Sequence, residues 1–144
     1  MAVLQLRDTE LASALRISVM RMSRRLRAER TETGLTLTQL ATLATLERHG
    51  PSATGVLAEL EKVQPPSMTR IVAALEARGL VERRPHPTDR RQVVVAATDA
   101  ARALLRADRR RREEWLSLQL ARLTAEEREA LRAVAPLLDR LAGA

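Results

Sequence analysis

The sequence predicts a mainly α-helical fold carrying one small two-stranded β-hairpin, and three observations lead there. Apolar residues recur at steps of three and four in blocks over most of the chain. The run from Pro65-Pro66 to Val81 starts abruptly on two prolines and stops at Gly79. Directly after it, residues 80–86 and 91–97, the latter rich in β-branched side chains, face each other across Pro87-Thr88-Asp89-Arg90.

The 144 residues fit one domain, or one compact domain with added dimerisation helices, and can bury a core. A net charge of +7 points to a polyanionic partner, because clustered guanidinium groups release counterions from phosphates; charge alone fits DNA, RNA or an anionic membrane surface. Nearly every basic residue is arginine, with Lys62 the single lysine. The planar guanidinium suits bidentate contacts to guanine and phosphate, although a GC-rich coding sequence gives the same bias.

With no cysteine, disulfides, thiolate metal sites and thiol redox sensing are excluded. His49 and His86 stand far apart, without an HxxxH spacing, so no metal or other cofactor is expected. No apolar run reaches the ~18–20 residues of a membrane span. Arg7, Asp8 and Glu10 follow Leu4 and Leu6 too closely for a signal-peptide core, and a cytoplasmic protein is expected.

Taken in order, residues 7–30 place Leu11, Leu15, Val19, Met22 and Leu26 on one helical stripe, with Arg16, Arg21, Arg24 and Arg27 opposite as a solvated face or an extra phosphate contact. Thr31-Glu32-Thr33-Gly34 breaks the pattern. A second helix fits residues 38–48, with Leu40, Leu43, Ala44 and Leu46 inward and Gly50-Pro51 as its stop. Residues 52–54 offer cap-type side chains for a third helix, whose stripe is Val56, Leu57, Leu60 and Val63. Pro65-Pro66 then marks a helix start, where backbone N–H groups lack partners in any case.

The fourth helix resolves face by face. At about 100° per residue, Met68, Ile71, Val72 and Leu75 share an arc of about 100° and belong to the core. Opposite them lie Pro66, Arg70, Ala73 and Ala77, flanked by Ser67 and Thr69. Small residues let a helix approach base edges, Arg70 can reach guanine O6 and N7, and the two hydroxyls can bond phosphate or bases. The basic hairpin that follows needs helices to rest on. Two helices and such a hairpin make a winged helix-turn-helix, whose second helix enters the major groove while the wing reaches the adjacent minor groove.

At this point the residues resemble a known family. Asp89-Arg90-Arg91-Gln92-Val93-Val94-Val95-Ala96-Ala97-Thr98 is similar to the D-x-R-x-x-x-V-x-L-T wing signature of the MarR family of bacterial transcription regulators, with Ala97 in place of the usual leucine. Ser67 through Val81 resembles the family's S-x-x-T-R-x-x-x-x-L-E-x-x-G-L-V pattern, with the threonine-arginine pair one place closer to the serine. The resemblance implies a homodimer with intertwined terminal helices on a roughly palindromic operator. It further implies that Arg91 inserts into the minor groove, that Asp89 holds the wing turn through an ion pair, and that Arg90 assists at the tip. Asp89 can equally bond its own backbone as a turn residue. The candidate DNA-contacting residues are Gln64, Pro66, Ser67, Thr69, Arg70, Ala73, Arg83, Arg84, His86, Asp89, Arg90 and Arg91.

Thr98 can cap a long helix to about Ala121, interrupted by the charged stretch 109–114, which is a solvated segment or one near the DNA backbone. Trp115 is expected in core or dimer packing. Thr124-Ala125-Glu126-Glu127 is a capping box for a last helix bearing Leu131, Val134, Leu138 and Leu141, which Pro136 should kink or split. Long amphipathic helices at both ends call for a second subunit to cover their stripes, so a dimer is expected. The expected division is residues 1–34 and 99–144 for dimerisation around a DNA-binding domain of residues 35–98.

No paired acid and base, phosphate-cradling glycine loop or metal cluster supports an enzyme, and no catalytic residue is assigned. The expected function is a sequence-specific double-stranded DNA-binding repressor. The family resemblance adds a small-molecule effector that releases DNA, although the chain has no Phe or Tyr to line an aromatic pocket. The alternative is a winged-helix module that docks protein without specific DNA binding.

Overall fold

The computed structural model describes residues 2–30 and 32–143, with side chains from Arg7 onward; Thr31, where the expected break after the first helix begins, lies outside the described residues. The elements run α1 (Ala2–Ala28), α2 (Leu37–His49), α3 (Thr54–Glu61), α4 (Pro65–Ala77), β1 (Val81–Pro85), β2 (Val93–Ala97), α5 (Asp99–Leu120) and α6 (Ala125–Ala142). Two compact units divide them. One spans residues 31–109; the other combines the chain up to residue 30 with the chain from residue 110.

The core of the first unit is apolar and continuous. Leu40, Leu43 and Leu46 of α2, Leu57 and Ala58 of α3, and Met68, Val72 and Leu75 of α4 bury against Leu80, Val81, Val95 and Ala97. Ala101 and Leu105 of α5 join them, which is why this unit runs eleven residues beyond the expected boundary at residue 98. Met68 is fully buried, so Met68→Ala removes its contacts and leaves a cavity. The expected cost is about 2–5 kcal/mol, read as a lower urea midpoint at unchanged slope.

Helix ends follow local chemistry. Thr36 and Gln39 form a capping box at the start of α2, and Gly50 closes the helix at φ 79°. The start of α3 differs from expectation: its N-cap is Ala53, without a side-chain cap bond. Ser52 is engaged elsewhere. Its N–H donates to Val95 O at 3.0 Å and its carbonyl accepts from Val95 N–H at 2.8 Å, adding a one-residue bridge to the hairpin. The α3 stripe is also narrower than expected, since Val56 and Leu60 are exposed and Ala58 is buried.

The two strands pair antiparallel, from Val81 opposite Ala97 to Pro85 opposite Val93. Thr98 locks the exit of the hairpin to the exit of α4. Its hydroxyl donates to Gly79 O at 2.7 Å, its N–H donates to Leu80 O at 3.1 Å, and its Oγ1 accepts from Ala101 N–H at 3.3 Å to cap α5.

In the second unit, α6 opens on the expected Thr124–Glu127 capping box, and Pro136 does not split it. Proline deprives only the carbonyl four residues back, that of Arg132, and both residues are exposed to solvent. No residue of α6 is buried. Of the α1 stripe, Leu15 and Leu26 are half-buried, while Leu11, Val19 and Met22 are exposed. Trp115 is half-buried, with the Arg25 guanidinium 5.3 Å from its ring centroid. Among the described residues, no helix is long and apolar enough to cross a membrane.

Candidate nucleic-acid interface

The turn between α3 and α4 is compact. Lys62 adopts the left-handed conformation (φ 53°), its N–H donates to Glu59 O, and Val63 N–H donates to Ala58 O. This pair of bonds is a Schellman closure with lysine where glycine is usual. Gln64 is the N-cap of α4 with no side-chain cap bond, and Pro65 and Pro66 fill the first turn. At the far end Gly79, at φ 70°, repeats the closure through Gly79 N–H to Glu76 O and Leu80 N–H to Leu75 O.

Between these two closures the helix rolls into one orientation. Met68, Val72 and Leu75 are buried and Ile71 is half-buried, so Gln64, Pro66, Ser67, Thr69, Arg70 and Ala73 all face solvent. The Thr69 hydroxyl donates back to Pro65 O at 3.1 Å, leaving its lone pairs toward solvent. The Arg70 side chain makes no hydrogen bond or ion pair among the described residues.

The wing is basic, but its arginines fall into two groups. Arg83 Nε donates to Glu76 Oε2 at 3.0 Å, joining β1 to α4, and Arg84 pairs with Glu82 two residues away. These pairs are roughly half exposed, and such ion pairs contribute only about 0–1 kcal/mol. A phosphate can therefore replace the carboxylate. Arg90 and the Arg91 guanidinium are exposed and have no such partner among the described residues.

Asp89 holds the turn through its side chain. Its Oδ1 accepts from Arg91 N–H at 3.0 Å, and the ion pair that the family resemblance implied is not formed among the described residues. His86 is half-buried at the other side of the turn, where its Nδ1 lies near Thr88 and Asp89. Two carboxylates escaped the sequence reading. Glu82 had a signal, because residues two apart on a strand share a face with Arg84. Glu76 had none, because its bond to Arg83 crosses from helix to strand.

The stretch 109–114 is not uniformly solvated. Asp108 beside it is buried, and Arg109 donates to Glu47 of α2 at 2.8 Å. A pocket of about 560 Å³ on α5 is lined by Arg110, Glu113, Glu114, Ser117 and Leu118. Among the described residues no cluster of His, Cys, Asp or Glu could hold a metal ion.

Residues 35–93 match the model of the MarR family. An HTH-type transcriptional regulator of Mycobacterium bovis is 46% identical over 131 residues, covering 91% of this chain and 92% of that protein. The HTH-type transcriptional repressor NicR of Pseudomonas putida is 38% identical over 97 residues, covering 67% of this chain and 61% of the repressor. Among solved structures, a transcriptional regulator protein from Pseudomonas aeruginosa PA01 superposes with a TM-score of 0.83 at 33% identity, covering 94% of this chain and 96% of that one.

Proposed function

This chain belongs to the MarR family of HTH-type transcriptional regulators, and from that premise we propose that it is a homodimeric repressor of a palindromic operator. In this reading α4 enters the major groove and the wing reaches the adjacent minor groove. One observation carries it: within a single compact unit, the exposed small-residue face of α4 and the tip of the wing present Arg70, Arg90 and Arg91 without protein partners among the described residues. Unpaired guanidinium groups on a surface are ready to bond phosphate and base edges at no cost in broken ion pairs.

A homodimer is supported by the apolar side chains left uncovered in the second unit. Leu131, Leu137, Leu138 and Leu141 of α6 and Leu118 of α5 are all exposed. A two-fold pairing of such faces would cover them and would space two recognition helices for half-sites about 34–36 Å apart. The terminal helices are then the dimerisation module, and the protein works in the cytoplasm on chromosomal DNA. A repressor role is supported by the similarity to NicR.

Release by a small molecule belongs to the same reading, and a ligand can act only by binding the DNA-free form better. Trp115 already carries Arg25 on its face and the chain has no Phe or Tyr, so ring stacking offers an effector little hold.

The test is the salt dependence of binding to duplexes recovered with the protein from genomic DNA. Neutralising six to ten phosphates should lower affinity by about 10³–10⁵-fold between 50 and 200 mM salt, with log affinity linear in log salt. Indifference to salt would instead identify a protein-docking module.

A further inference from the structure

We propose that His86 is a positioning residue of the wing: its imidazole, through Nδ1, holds the turn that presents Arg90 and Arg91 to DNA. The role in DNA binding rests on the reading above; the geometry does not. Thr88 N–H donates to Nδ1 at 3.2 Å and Asp89 N–H donates to the same atom at 3.1 Å, with Thr88 Oγ1 3.3 Å away. A ring nitrogen that accepts two backbone N–H groups is the unprotonated one, so the ring is neutral and its proton sits on Nε2.

These bonds complete the turn. His86 N–H donates to Gln92 O and Gln92 N–H donates to Asp89 O, each at 3.1 Å, while Arg91 N–H donates to Asp89 Oδ1 at 3.0 Å. Pro87 has no N–H to offer. Two side chains, His86 and Asp89, thus satisfy the N–H groups of Thr88, Asp89 and Arg91, which the short strands cannot reach. Without the imidazole acceptor, the N–H groups of Thr88 and Asp89 turn to water and the turn samples more conformations. Arg90 and Arg91 then have to be ordered at the moment of binding, which weakens affinity.

Protonation removes the same acceptor, because both imidazolium nitrogens are donors. Among the described residues, Arg84 pairs with Glu82, the Asp89 carboxylate accepts from Arg91 N–H, and the Arg90 and Arg91 guanidinium groups have no partner. No side chain of another element bonds the ring among the described residues.

The full chain tests this in two ways. Imidazole nitrogen NMR on the free protein should show the Nε2–H form, with couplings across the hydrogen bonds from the Thr88 and Asp89 amides to Nδ1. The Nδ1–H form, or amides of Thr88 and Asp89 that exchange as freely as in His86→Ala, would overturn the proposal. In binding, His86→Ala should weaken the complex with a single half-site about fivefold, the loss expected for about one net hydrogen bond. His86→Asn, whose Oδ1 takes the place of Nδ1, should restore affinity to within about twofold of wild type, whereas His86→Gln should resemble His86→Ala. An alanine variant as tight as wild type, or an asparagine variant as weak as alanine, would also overturn it. A wild-type chain that bound no duplex would sink the DNA reading and the positioning role with it, a failure told apart by an NMR signature that still holds on the free protein.

Discussion

Arg91→Ala is expected to weaken binding to every duplex, specific or not, and to lower the slope of log affinity against log salt by about one. Arg70→Ala should act differently, relaxing base preference at one position of each half-site and costing about 1–3 kcal/mol on the specific sequence alone. The division follows from where the two side chains sit. Arg70 extends from the exposed face of α4, beside Pro66, Ala73 and the other small residues that allow a close approach to base edges. Arg91 follows the wing turn, and its backbone N–H is already taken by Asp89, which leaves the guanidinium for phosphate or the minor groove. In a dimer each loss is counted twice, so the effect on a full operator exceeds that on a half-site. Competition binding on a randomised half-site, repeated at two salt concentrations, separates the two behaviours. Equal losses on all sequences for both variants would refute the assignment of base reading to Arg70.

The elements that position these residues were legible because their ends are written in local chemistry. Pro65-Pro66, Gly50, Gly79 and the Thr124–Glu127 pair start or stop helices through bonds spanning at most a few residues, and each stands where the spacing placed it. The outward face of α4 was legible for a similar reason, since the period of Met68, Val72 and Leu75 fixes which residues remain outside. What was not legible depends on partners distant in sequence. Ser52 looked like a helix cap and instead pairs with Val95, forty-three positions on. Thr42 and Thr45 of α2 are polar yet buried, Thr42 donating to Thr38 O at 2.8 Å and Thr45 bonding Glu61. Ala101 and Leu105 of α5 belong to the winged-helix core, and nothing in the periodicity of the helix marks where that packing ends. At the candidate interface, exposure alone did not separate the arginines: Arg83 is engaged by Glu76 of another element, and Arg90 is not.

The second large effect concerns the proposed subunit contact. Leu131, Val134, Leu138 and Leu141 recur at steps of three, four and three, which sets them on one stripe of α6, and Leu141 is 76% exposed. Covering a leucine is worth about 1.5–3 kcal/mol, so two such stripes facing each other across a two-fold axis supply ample energy for association. Replacing Leu131 and Leu138 together with arginine puts four cations into that contact, two from each subunit, where like charges repel and lose hydration. The expected product is a folded monomer at micromolar concentration by light scattering, with the far-ultraviolet circular dichroism of the wild type, because no α6 residue is buried within the subunit. Its operator affinity should fall by about 10²–10⁴-fold, since the second half-site is no longer tethered to the first and the gain from linked binding disappears. Affinity for an isolated half-site should change far less, as the winged helix is a compact unit of its own. A double variant that stayed dimeric would move the subunit contact away from α6 and onto the exposed Val19, Met20 and Met22 of α1.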